Sequence, residues 1–149
     1  MSAYERDLGK LLASNLRPEF IVVPDLVAQG RESLLFSLSW VERLYAIAPL
    51  YFVVQDGMGE EVACEMKPFA GIFVGGSLPW KLKTGAQWTK LAHELKLKCH
   101  IGRVGTERRV RWARRIGADS IDSSLPLWSE ANFRRFLRGF ENEQNESLF

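Results

Sequence analysis

Five short runs of β-forming residues alternate with stretches of helical period along this chain, and that alternation leaves few folds open. The runs are "FIVVP" (20–24), "YFVVQ" (51–55), "GIFVG" (71–75), "CHIGRV" (99–104) and "DSID" (119–122). The first three are unbroken apolar or aromatic β-formers, the pattern of strands buried on both faces. Between them, "RESLLFSLSWVERLYAI" sets Leu34, Leu38, Val41 and Leu44 on one helical face. "TGAQWTKLAHELKL" gathers Trp88, Leu91 and Leu95, with Thr84 as the expected cap. "TERRVRWARRIG" has Thr106 as cap, Val110, Ala113 and Ile116 inward, and Gly117 as the stop. "SEANFRRFLRGF" repeats the scheme behind Ser129, a weak helix is expected near 59–66, and a first helix over 3–15. Strand and helix in such alternation predict right-handed βαβ units on a parallel sheet. Two architectures fit: an open doubly wound sheet, or a piece of a (β/α)8 barrel. No G-x-G-x-x-G follows the first run, so nothing points to a dinucleotide and no cofactor is expected.

At 149 residues the chain suggests one domain with a real core. Its 46% hydrophobic and 26% charged residues are those of an ordinary soluble protein. No run of about 18 apolar residues occurs, and "MSAYERDLGKLLASNL" has no apolar segment of a secretory signal. A cytoplasmic protein with no membrane partner is expected. Cys64 and Cys99 are too few for a disulfide framework and read as reduced, buried side chains. His93 and His100 flank a strand start, but their spacing matches no ligand pattern, so no metal site is expected. The net charge of +2 is unevenly spread: "GRVGTERRVRWARR" carries Arg103, Arg108, Arg109, Arg111, Arg114 and Arg115. This is either a solvated helix face or a phosphate-facing patch.

The strand ends carry the functional reading. The first run ends in Pro24-Asp25, the second in Gln55-Asp56-Gly57, the third in Gly75-Gly76-Ser77, the fourth in Gly105-Thr106 and the fifth in Asp122-Ser123-Ser124. In parallel α/β proteins that rim is where ligands bind. Carboxylate, amide, bare backbone and carboxylate on one rim describe a pocket for a flat heterocycle, with a second carboxylate left for chemistry.

These residues resemble a known family. "RVGTERRVRWARRIGADSIDSSLP" is similar to the last barrel strands of the tRNA-guanine transglycosylases, approximately V-G-x-P-x-x-L-V-x-A-V-x-x-G-x-D-x-F-D-C-V-x-P-T-R. The likeness runs ungapped from Val104 to Pro126 and includes Gly105, Val110, Ala113, Gly117, Asp119, Asp122 and Pro126. "GIFVGGSL" resembles the family's Y-A-I-G-G-L segment, "FVVQDGM" its G-I-V-Q-G segment, and "FIVVPDLV" with "ESLLFSLSWVERL" its F-D-E-x strand end and following helix. The four segments keep the family's order and cover most of residues 19 to 128. The resemblance points toward the deazaguanine DNA-modification transglycosylases of phages and bacteria, which share this barrel.

The resemblance implies a partial (β/α)8-type barrel of five parallel βα units behind an N-terminal helix, all in one domain over 1–149. Barrel strands would occupy 18–128, a last helix 129–141 and a flexible tail 142–149. It also implies base exchange: an aspartate attacks C1′ of a guanosine sugar, expels guanine, and the glycosyl-enzyme is captured by a 7-deazaguanine. On this pattern Asp122 is the nucleophile and Asp25 receives the guanine N1 and N2 hydrogens. Gln55 reads the O6 side, Gly75 and Gly76 let the base approach, and Ser77 adjoins them. Arg103, Arg108, Arg111 and Arg115 would face the nucleic acid.

The chain departs from the pattern in three places. The family's early strands with an Asp-Ser-Gly-Gly motif have no counterpart, nor has the C-x-C-x-x-C…H zinc site, and Leu127-Trp128 stands where Thr-Arg is usual. The last two differences favour DNA over tRNA. The first calls for a homodimer, a companion chain supplying strands, or an N-terminal helix packed into the gap. Two other functions stay open: an accessory protein that keeps the purine pocket without turnover, and an unrelated lyase or phosphate-binding enzyme using Gly105-Thr106.

Overall fold

The computed structural model describes residues 3–27 and 29–141; the tail expected to be flexible, 142–149, lies outside them. In chain order the elements are α1 (Ala3–Ala13), β1 (Ile21–Val22), α2 (Gly30–Ser39), α3 (Val41–Leu44), β2 (Leu50–Val54), β3 (Gly71–Val74), α4 (Leu78–Glu94), β4 (Lys98–Ile101), α5 (Glu107–Arg115), β5 (Ser120–Ile121) and α6 (Glu130–Arg138). Single 3₁₀ segments lie at Glu60–Glu65 and Leu125–Trp128. All strand pairs are parallel and the sheet order is β1-β2-β3-β4-β5. Neighbours in sequence are neighbours in space, and the order never reverses about a first strand, as a doubly wound sheet requires. The sheet is a curled half-barrel, a partial βα barrel.

Alternation along each strand divides the sheet into two faces. Phe52, Val54, Ile72, Val74, Cys99 and Ile101 are fully buried on the convex face, against Leu34 and Leu44, Trp88 and Ala92 of α4, and Val110 and Ala113 of α5. Burying each such side chain contributes about 1.5–3 kcal/mol. The concave face carries Tyr51, Val53, Phe73 and His100, and aromatic rings fill it. Phe20 stacks on Tyr51 at 4.1 Å and 14°, while Phe73 stacks on His100 at 4.8 Å and 18°. Gly71 makes room for this packing, since a Cβ there would lie 2.5 Å from the Tyr51 ring.

Several local expectations are corrected. Thr84 does not cap a helix: α4 begins at Leu78 with Pro79 in its first turn, and the Thr84 hydroxyl donates to Trp80 O at 2.8 Å. β4 stops at Ile101 rather than at residue 104, because Arg103 takes a left-handed backbone at φ +61 that no strand continues through. Cys99 is buried as expected, but Cys64 is exposed on the 3₁₀ segment with its thiol directed at Glu61 O. Thr106 and Ser129 cap as expected, accepting from Arg109 N and Asn132 N, and Gly117 ends α5's turn at φ +82. At the first sheet edge, Ile21 N and Val23 N donate to Pro49 O and Tyr51 O of the β2 side. The backbone N–H and C=O of Val22 therefore point away from β2, and the Tyr4 hydroxyl of α1 donates to that carbonyl at 3.2 Å. No helix among the described residues is long and apolar enough to cross a membrane.

Candidate functional site

The C-terminal strand ends open on a cavity of about 630 Å³, within the usual range for small-molecule sites. Its lining includes Asp25, Gln55, Gly75, Gly76, Ser77, Arg103 and Asp122, all named from the sequence, together with Val22, Val53 and Phe73. The alternation that buries Phe52, Val54 and Val74 outward turns Val53, Gln55, Phe73, Gly75 and Asp122 inward. Arg108, Arg111 and Arg115 do not join them. They line a separate groove with Glu107 on α5, where Arg111 pairs with Glu107 at 3.1 Å.

Asp122 is half-exposed, and its Oδ1 is fixed by two donors. Nε2 of the buried His100 lies 3.1 Å away, and the Arg103 backbone N–H donates at 3.2 Å. Among the described residues no hydrogen bond holds Oδ2. The arrangement immobilises one oxygen and leaves the other for chemistry. His100 is itself oriented by Ser120, whose Oγ is 2.8 Å from Nδ1, and by the Phe73 ring. In a neutral imidazole donating from Nε2, Nδ1 accepts from the Ser120 hydroxyl. Serine, histidine and aspartate in series also suggest a serine nucleophile, but Asp122 lines the cavity and Ser120 does not, so the series leads toward the carboxylate.

Asp25 lies on the loop after β1. Burial pushes its carboxyl above the ordinary range, opposed by its own backbone amide and by Gln55. The Gln55 amide nitrogen donates to Leu26 O at 2.8 Å and reaches Ser33 Oγ at 3.3 Å, so Gln55 also fastens this loop. Gly76 has φ +71 beside the Asp56 amide. Asp56, not a foreign anion, sits at the N-terminus of α4: it accepts from Ser77 N and Ser77 Oγ, each at 2.6 Å. Those two bonds hold its carboxyl below the usual range.

The two histidines part company. His93 pairs at 2.9 Å with Asp119, which also accepts from Lys98 Nζ at 2.9 Å and Cys99 N at 2.8 Å. Asp119 thus works outside the cavity, three residues and one face away from Asp122. Two further residues of the site, His100 and Lys81, were not read from the sequence as part of it. His100 could have been found by pairing "CHI" with "DSI" in register, which sets His100 opposite Ser120. Lys81 carried no signal, because in "WKLKTG" it looks like any lysine on a wet helix face. It is 4% exposed, lines the cavity and donates from Nζ to Gly102 O at 2.5 Å.

Compared with known proteins, the chain matches no family model and no curated protein.

Proposed function

We propose that the chain is a transglycosylase-type domain that exchanges guanine for a 7-deazaguanine in nucleic acid, DNA before tRNA. The observation that carries this reading is the state of Asp122: one oxygen is pinned by His100 and Arg103, the other has no hydrogen bond among the described residues, and the residue lines a cavity that also presents Asp25 and the Gly75–Gly76 backbone. Oδ2 attacks C1′, the glycosidic electron pair leaves with guanine, and a sugar–carboxylate ester forms. A 7-deazaguanine then displaces Asp122, and the proton it gives up balances the one guanine takes. Asp25 accepts from the base edge, the glycines admit its plane, and Phe73 and Val53 supply apolar wall. Arg103 at the cavity and the Arg108, Arg111 and Arg115 groove serve as phosphate contacts. A second copy or a companion chain would add strands to the half-barrel, and the setting that goes with this chemistry is a bacterial or phage-infected cytoplasm.

A second reading, a purine-binding accessory protein of the same fold, is favoured by one observation. Gln55 commits its amide hydrogens to Leu26 and Ser33, which weakens its claim on a base. One assay separates the two. Purified protein is given labelled guanine or 7-cyano-7-deazaguanine with duplex DNA, single-stranded DNA or tRNA. Exchange supports the enzyme, and Asp122→Asn should then abolish covalent capture of the strand while guanine binding persists. Asp25→Asn should weaken base binding by about 1.5–3 kcal/mol, the worth of a charge-assisted bond. Binding without exchange on any of the three nucleic acids leaves the accessory reading, and neither binding nor exchange rejects both.

A further inference from the structure

Lys81 lies near the start of α4, yet it is 4% exposed, an uncommon depth for a lysine. Its Nζ donates to the Gly102 carbonyl at 2.5 Å. That carbonyl is one end of a peptide group whose other end is the Arg103 N–H, the donor to Asp122 Oδ1 at 3.2 Å. The peptide is planar and trans, so its carbonyl and N–H point in opposite directions along one dipole. Drawing charge onto the oxygen strengthens the N–H as a donor, the cooperative effect of hydrogen bonds in series. The backbone is held here at a cost, since Arg103 is a non-glycine residue at φ +61. Gly102 allows the approach, because a Cβ there would lie 2.7 Å from the Phe73 ring. The charges facing Lys81 are Arg103, Asp122, Arg109 and Asp56; burial first, and then the two arginines, press its pKa down, against the two carboxylates.

We propose that Lys81 is a positioning residue for Asp122, acting through the Gly102–Arg103 peptide rather than by touching a substrate. With His100 on the same oxygen, the peptide fixes the carboxylate from two directions and leaves Oδ2 without a hydrogen bond among the described residues. The geometry stands whichever bond Asp122 attacks; only the kinetic arm of the test rests on the transglycosylase reading. A lysine that merely buttressed the loop after β4 would affect stability without singling out one amide.

The test is a comparison of wild type, Lys81→Met, Lys81→Arg and Asp122→Asn by backbone NMR. The Arg103 amide proton should move upfield in Lys81→Met and in Asp122→Asn, with a smaller change in Lys81→Arg, which keeps a donor. The effect of Lys81→Met should shrink when Asp122→Asn is already present. An Arg103 amide that shifts no more than those of Val104 and Thr106, or two changes that simply add, overturns the proposal. Should Lys81→Met fail to fold, Asp122→Asn alone decides: the Gly102 carbonyl carbon and Lys81 Nζ resonances should shift together, and unchanged resonances overturn it. Where wild type exchanges bases, Lys81→Met should slow covalent capture by about tenfold or more with little change in KM. Where wild type does not, the transglycosylase reading fails and the NMR arm still decides the role of Lys81.

Discussion

Asp119 and Asp122 show how much two carboxylates flanking one short strand can differ. Asp119 receives a backbone amide, a histidine and a lysine, and ties the end of α4 to the starts of β4 and β5. Burial works to raise its pKa, but the Cys99 amide, His93 and Lys98 outweigh it and hold the carboxyl at about 2. Because the folded value lies below the unfolded one of 3.8, the stabilisation is full above about pH 4 and is lost as pH falls through 2. After discounting for its partial exposure to solvent it is on the order of 1–2 kcal/mol. Asp119→Asn should therefore lower the urea midpoint at pH 7 and bring wild type and variant together near pH 2; equal midpoints at pH 7 would show that the staple contributes nothing. Strand alternation separates positions 119 and 122 onto opposite faces, and that much follows from the sequence alone. The sequence did not disclose what holds Asp122. His100 comes from another strand and Lys81 from a helix, and only the three-dimensional register brings them there.

At the scale of elements, α4 illustrates what periodicity can and cannot reveal. Trp88 and Ala92 mark its buried face plainly, yet the helix starts six residues before Thr84. A threonine before an amphipathic run looks like a cap whether or not the helix has already begun, and here its hydroxyl turns back to the preceding turn. Gly85 in mid-helix was also uninformative in sequence. Replacing it with alanine would ordinarily stabilise a helix by about 1 kcal/mol. Here the new Cβ would lie 2.8 Å from the Trp112 ring and 3.4 Å from Ile116, so overpacking costing about 1–3 kcal/mol opposes that gain. Gly85→Ala should lower the melting temperature by roughly 4 °C, the size of a net loss of about 1 kcal/mol. A rise would mean that α5 shifts freely against α4. The caps at Thr106 and Ser129 were legible because nothing upstream competes with them for the helix start.

For the whole molecule, the parallel sheet was legible in the alternation of runs, which left the doubly wound and barrel orders open; the curvature and its filling were not. Phe20 and Tyr51 looked like ordinary strand residues; only curvature brings Phe20, Tyr51, His100 and Phe73 into one stack. The arginines divide at this scale too. If the α5 groove meets nucleic acid, neutralising Arg108, Arg111 and Arg115 together should reduce the salt slope of duplex binding by about 0.9 for each phosphate that the protein no longer neutralises. An unchanged slope would return them to a solvated helix face, where Glu107 already holds Arg111 and Arg138.

The strand order β1-β2-β3-β4-β5 has a consequence for how the chain reaches this state. Among the described residues, each strand after the first docks on the one made just before it, and none returns to close on the first. The entropy of each loop closure is that of a single βα unit, so the search never grows with the length already folded. Such a chain can assemble in order as it leaves the ribosome, each new unit docking on a finished edge.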